Sequence, residues 1–262
     1  MDGAGKLMKK CFTINPLRSR DQIHSYTQLL KDGTYQAVEI FYPGDQSREQ
    51  YSMYTEEMNK IALCAKEMVM HLPFGPKYDL CDQEHADVVL PYMKDALAYA
   101  NMLGIKKNTL HLGYHHPNQD TYPYLIPILQ QLCDLFPNQY LMIENMPNDK
   151  HVGYAPTEIK RIIEQVNRSN LKFIYDTGHG QLSGFSFQQF YEHLGSYLTH
   201  FHVNDNRGTR DDHQRIGWGI IDFVDILKTA KEYNELFCME ILYQTKEDLI
   251  MYANDFNMIG EK

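Results

Sequence analysis

The amino-acid sequence predicts a single (β/α)8 barrel spanning residues 1–262. Three observations carry this. Eight short apolar runs rich in β-formers alternate with longer segments of helical period. The connections between them are short, which favours a parallel sheet closed on itself. The turn after the first run reads Asn15-Pro16-Leu17. It lacks the glycine-rich phosphate loop common in doubly wound open sheets, which also usually have fewer strands. A chain of 262 residues is long enough for such a barrel.

In order, the predicted strands are 11–17, 37–42, 67–72, 108–113, 140–145, 172–177, 198–204 and 237–242. Helical periodicity is clearest over 82–103 and 156–166. Ser19 or Asp21 is positioned to cap the first helix, and Thr157 or a near neighbour the fifth. Gly33, Gly104 and Asn170 fall where helices should stop. No low-complexity tract or Pro/Gly/Ser linker divides the chain, so one domain is expected.

Composition narrows the function. Hydrophobic residues make up 43% and charged residues 23%, an ordinary globular balance. Net charge is −9, with 25 Lys and Arg against 34 Asp and Glu, so a broad nucleic-acid surface is not expected. The longest apolar runs are far too short to span a bilayer, and residues 1–10 lack the apolar core of a signal peptide. Cys11, Cys64, Cys81, Cys133 and Cys238 are widely spaced and form no C-x-x-C pair. They read as reduced thiols of a cytoplasmic protein. A homo-oligomer remains open.

In a barrel of this kind the active site gathers at the C-terminal strand ends. Those ends carry His71, His111, Glu144, Asp176 with His179, His202, and Glu240, and the loop after the seventh strand adds Asp211 and His213. Each residue alone has an ordinary structural reading. Together, so many carboxylates and imidazoles in one mouth would repel or stay unsatisfied. No Lys or Arg occupies a matching position to neutralise them. A divalent cation resolves the conflict, and mixed N and O donors suit manganese, zinc, cobalt or iron better than calcium.

The segments Glu144-Asn145, Asp176-Thr177-Gly178-His179, His202-Val203-Asn204-Asp205-Asn206 and Glu240, with Asp211 to Phe223, resemble the xylose isomerase-like superfamily, most closely its sugar phosphate isomerase/epimerase group. The resemblance covers essentially the whole chain. It implies one metal held by Glu144, Asp176, His202 and Glu240, with His179 facing substrate and Arg207 contacting it. The chain is also similar to endonuclease IV, a zinc-dependent abasic-site nuclease. That likeness implies a set of up to three ions held by His71, His111, Glu144, Asp176, His179, His202, Asp211, His213 and Glu240. Departures from the nuclease include Gly178 in place of a Cys, Met146-Pro147 after Glu144-Asn145, and His202 and His213 only eleven residues apart.

Two mechanisms follow. In a sugar or sugar phosphate isomerase or epimerase, Glu144 and Glu240 would serve as base and acid, His179 would orient a hydroxyl, and His71 would line the pocket. In a zinc phosphoesterase, the further His and Asp residues would ligate additional ions. A dehydratase or lyase would share the proton abstraction. Glu39 is expected at the rim, holding a substrate hydroxyl or pairing with a basic residue. His200 is expected to support the site by hydrogen bonding, His115 and His116 to lie in a solvated loop, and Trp218 to pack or wall the pocket.

Overall fold

The computed structural model describes residues 8–230 and 236–260. The reading of residues 1–10 therefore lies largely outside the described residues. Eight strands run β1 (Lys9–Ile14), β2 (Ala37–Phe41), β3 (Glu67–His71), β4 (Lys107–Leu110), β5 (Tyr140–Glu144), β6 (Leu171–Asp176), β7 (Leu198–Val203) and β8 (Leu236–Met239). All pair in parallel in sequence order, and β8 closes on β1 with Cys11 opposite Cys238. The surrounding helices include α1 (Arg20–Lys31), α2 (Arg48–Ala62), α3 (Ala86–Met102), α4 (Thr121–Leu135), α5 (Pro156–Val166), α6 (Thr177–Ser183), α7 (Phe187–Leu194), α8 (Phe223–Ala230) and α9 (Lys246–Gly260). The predicted barrel is what is found.

Alternation along the strands divides the apolar residues in two. Phe12, Ile14, Val38, Ile40, Met68 and Met70 join the large cluster between barrel and helices. Cys11, Ala37, Val69, Met142, Ile174, Leu236 and Cys238 form a separate cluster inside the barrel. This is the period of two that separates the faces of any strand. The inward series continues to the C-terminal end of each strand, where it places Glu144, Asp176 and His202.

Several expectations are corrected. The ladders of β1, β4 and β8 stop earlier than predicted, at Ile14, Leu110 and Met239. The apolar runs continue because Leu112 and Ile241 stay buried beyond the last ladder bond. The helix expected over 82–103 opens as one 3-10 turn at Gln83–His85 before α3. Of the two candidate caps of α1, Ser19 does the work, in a reciprocal pair with Gln22. Thr157 caps nothing: Ala155 precedes α5, and Pro156 supplies a preset φ at its first position. That helix ends at Asn167 in the left-handed conformation, not at Asn170. Asn170 instead donates its side-chain amide to the Cys133, Phe136 and Gln139 carbonyls, tying the end of α4 to β6. Among the described residues, no helix is long and apolar enough to cross a membrane.

Candidate metal centre

Glu144 ends β5 fully buried, and its two oxygens organise the mouth. Oε2 lies 2.9 Å from His111 Nε2 and 3.5 Å from His71 Nε2. Oε1 lies 3.2 Å from His202 Nδ1 and 3.3 Å from His179 Nδ1. Glu240, one residue beyond β8, places Oε2 3.0 Å from the same His202 Nδ1. Asp211 Oδ2 bridges His179 Nε2 at 3.1 Å and His213 Nε2 at 3.0 Å. The structure thus brings all nine candidate ligands into one connected array.

Supporting residues fix these orientations. Asp176 caps the short helix α6, accepting from the His179 N–H at 2.6 Å and from the Asn204 side chain at 2.8 Å. A Cβ on Gly178 would collide with that Asn204 side chain. Asn145 accepts from the Asp176 N–H and donates to its carbonyl. His71 Nδ1 meets the Leu72 carbonyl at 2.8 Å, which turns Nε2 toward the mouth. His213 adopts a left-handed φ of 45° and sets Nδ1 2.8 Å from the Glu240 carbonyl. Strain of this kind persists where surrounding contacts over-determine a residue.

The charges in the mouth act on one another strongly. Burial raises the Asp176 carboxyl, and with Glu144, Glu240 and Asp211 it brings it to about 6 against the pull of His179. Burial also works to raise Glu144, but His202 and His111 outweigh it and hold the carboxyl well below the usual range. Glu240 is likewise lowered, by His202 and His213 against burial. Burial works to lower His202 and His179, yet Glu39 and Glu240 around the first, and Asp176 and Asp211 around the second, raise both well above ordinary histidine. His111 is lowered, chiefly by burial.

The donor chemistry fits a divalent transition cation. Glu144, Asp176, His202 and Glu240 each offer one donor, all within 4.8 Å of one another. His71, His111 and Glu144 form an adjoining group, as do His71, His202 and Glu240. One imidazole with three carboxylates is a borderline-hard set, and the proton-attracting field on these histidines is one that a cation would answer.

Other expectations fare differently. Glu39 is not at the rim. It is fully buried below His202, with Oε2 2.7 Å from Nε2 and Oε1 accepting from Thr109 at 2.7 Å. Arg207 is exposed in the loop after β7 and lines none of the mouth clefts described below. His200 is fully buried, and neither ring nitrogen meets a hydrogen-bond partner among the described residues, so its expected bonding role is not seen. His116 reaches buried Asp79 at 2.8 Å and His115 reaches Glu158 at 3.2 Å, so both anchor their loop. Trp218 is 63% exposed and neither packs in the core nor walls a cleft described here.

Sequence reasoning missed Asp205. Fully buried, it gathers the N–H groups of Gly217, Gly219 and Ile221 and so shapes the loop that carries Asp211 and His213. Its signal was the polar pair Asn204-Asp205 directly after an apolar strand. Three clefts open from the mouth. One of about 250 Å³ lies between Phe74, Tyr78, Met146 and His179. One of about 310 Å³ runs along Phe41, His71 and Tyr92. One of about 200 Å³ separates Arg18 from Glu240. Phe74, 46% exposed, stands 4.7 Å from His71 and 5.0 Å from His111, ring centre to ring centre.

The family description "Xylose isomerase-like TIM barrel" matches residues 28–255. The chain belongs to that family. A relative from Methanocaldococcus jannaschii, the uncharacterized protein MJ1311, is 28% identical over 177 residues, 63% of this chain and 60% of its own length. A probable endonuclease 4 of Acholeplasma laidlawii is 25% identical over 201 residues, 69% of this chain and 67% of its own. The barrel also superposes on solved structures. A D-tagatose 3-epimerase-like protein gives a TM-score of 0.78 at 21% identity, covering 95% of this chain and 97% of the other. IolI with a bound zinc atom gives 0.75 at 17%, covering 97% and 98%. At these identities the superpositions speak for the fold alone.

Proposed function

We propose that this protein is a divalent-metal-dependent isomerase or epimerase that moves a proton on a carbon beside the carbonyl of a sugar or sugar phosphate. The carrying observation is the pair Glu144 and Glu240. They reach the mouth from β5 and from just beyond β8, on different sides of the barrel, and converge on His202 Nδ1 at 3.2 and 3.0 Å. Glu144, Asp176, His202 and Glu240 would hold the cation, of the manganese, zinc, cobalt or iron class. When bound, it supplies Lewis acidity toward substrate oxygens and steadies the negative charge that proton removal creates.

The chain's own residues do the rest. One of Glu144 and Glu240 takes the proton from the α-carbon, and the other returns one from a different side. Neighbouring imidazoles lower both carboxyls, so the one that acts as base starts ionised, and the one that acts as acid must first take a proton from solvent. His179 orients a substrate hydroxyl, its ring fixed by the Asn145 carbonyl at 2.9 Å and by Asp211. His71 lines the pocket beside Phe74, and the aromatic walls limit water around the reacting carbon. The likeness to a D-tagatose 3-epimerase-like protein and to zinc-bound IolI supports this reading, as does the net charge of −9, which disfavours a nucleic-acid partner. A small-molecule substrate in the cytoplasm is the matching setting.

A second reading, a zinc phosphodiesterase of the endonuclease IV kind, is favoured by one observation: the three-ion donor set is connected without a break from His71 to His213. A lyase would use the same proton abstraction with a leaving group on the next carbon.

The deciding experiment incubates the protein, loaded with manganese or cobalt, with ketoses and ketose phosphates in deuterium oxide. Proton NMR should show deuterium entering at the α-carbon. A parallel arm offers a duplex with an abasic site to zinc-loaded protein. Nicking of that duplex with no exchange into any sugar would overturn the isomerase reading.

A further inference from the structure

Directly beneath the mouth, four consecutive strands of the closed barrel turn polar or soft side chains inward: His200 from β7, Cys238 from β8, Cys11 from β1 and Glu39 from β2. All four are completely buried. They share the inner cavity of the strands with Val69, Met142 and Ile174, so the opposite wall is apolar. Cys238 Sγ lies 3.4 Å from Glu39 Oε2, which in turn lies 2.7 Å from His202 Nε2. His200 sits at the same place with neither ring nitrogen partnered among the described residues. A neutral imidazole carries one N–H and one lone pair, and burying either unpaired is costly. An unpartnered imidazole inside a packed barrel calls for an occupant.

We propose a second, deeper metal site, in which His200, Cys238 and Glu39, completed by His202 Nε2, hold a thiophilic divalent cation of the zinc or cobalt type. Donor atoms of these four residues all lie within 4.8 Å of one another. Two nitrogens, one sulfur and one carboxylate oxygen form a four-donor set suited to tetrahedral zinc and foreign to magnesium or calcium. On loading, Cys238 releases its thiol proton to solvent, and with the upper centre also filled His202 releases its remaining ring proton, so thiolate, carboxylate and the shared imidazolate balance the positive charge. His202 then faces both centres, Nδ1 toward Glu144 and Glu240 and Nε2 toward Glu39. The deep site differs from the upper one by its sulfur, which gives it a signature of its own. It does not rest on the reaction proposed above.

Cobalt(II) is the probe. Metal-stripped protein reloaded with cobalt should take up a second equivalent and show a near-ultraviolet sulfur-to-cobalt charge-transfer band, because only the deep site has a thiolate. Cys238→Ser should lose the band and about one equivalent of cobalt while keeping wild-type circular dichroism. His200→Gln is the second variant and should weaken the band without touching the thiol. Asp176→Asn, which alters only the upper centre, should keep the band. If wild-type protein shows no band, or Cys238→Ser leaves both spectrum and cobalt content unchanged, the site does not exist and Glu39 serves only as the partner of His202.

Discussion

Glu144 meets four imidazoles within 3.5 Å, those of His71, His111, His179 and His202. A carboxylate so placed cannot be exchanged for an amide without reversing part of its hydrogen bonding. Glu144→Gln removes both the negative charge and the proton acceptor. Proton exchange should fall by at least about 10³-fold, within the range general bases contribute. Glu240→Gln should do the same, and far-ultraviolet circular dichroism should be unchanged in both. Exchange at the wild-type rate in either variant removes that residue from the chemistry. His213 offers a separate test in chelator-treated protein. Burial lowers its pKa, but Asp211 and Glu240 prevail and raise it to about 10, above the ordinary histidine value. The stabilisation it provides is therefore complete below the unfolded pKa near ~6.5 and lost as pH rises through about 10. The melting temperature of the metal-free wild type should decline across that window, and that of His213→Gln should decline less. Parallel curves would mean that the Asp211–His213 contact adds nothing to stability.

At the scale of elements, α1 shows how local signals become structure. Ser19 accepts from the Gln22 N–H while the Gln22 side chain accepts from the Ser19 N–H. Ser19→Ala should cost about 1 kcal/mol, read as a shift in the urea midpoint with unchanged slope. No shift would show that α1 is held by its buried face alone, through Ile23, Tyr26, Leu29 and Leu30. The strands, and the residues their ends bring to the mouth, were legible for a plain reason. Inward positions recur every second residue, so a polar residue ending an apolar run must face the mouth. Glu39 obeys the same rule but sits before the end of its strand, which puts it beneath His202 rather than at the rim. Depth along a strand depends on the stagger between strands, and one strand's sequence does not carry it. Asp205 stood in view as a polar residue after an apolar strand, but its task was hidden because its partners are the backbone N–H groups of Gly217, Gly219 and Ile221. Asn170 was misread as a helix stop for the same reason, since it binds backbone carbonyls of another segment. Helix ends failed in the same way: Asn167 and Asn170 are both plausible stops by type, and only the backbone conformation separates them.

For the molecule as a whole, neither apolar cluster contains a mouth residue, and His71, Glu144, Asp176 and His202 pair in the ladders through their backbones, so the barrel should survive metal removal. Its stability should not. Glu144, Asp176, Glu240 and Asp211 share one mouth, and the raised pKa of Asp176 comes first from burial and then from those neighbouring carboxylates. A ligand that binds only the folded state at one hundred times its dissociation constant adds about 2.7 kcal/mol. For a chain of this size each kcal/mol moves the melting temperature by about 2–4 °C. Chelation should therefore lower the melting temperature by roughly 5–10 °C. The far-ultraviolet spectrum should stay the same, and micromolar manganese, cobalt or zinc should restore the loss while magnesium does not. Asp176→Asn should melt close to the chelated wild type and respond weakly to added metal. Should chelated and metal-loaded protein melt together, the carboxylates and imidazoles of the mouth must be balancing one another by proton sharing alone. The metal-dependent reading of the site would then fall with that result.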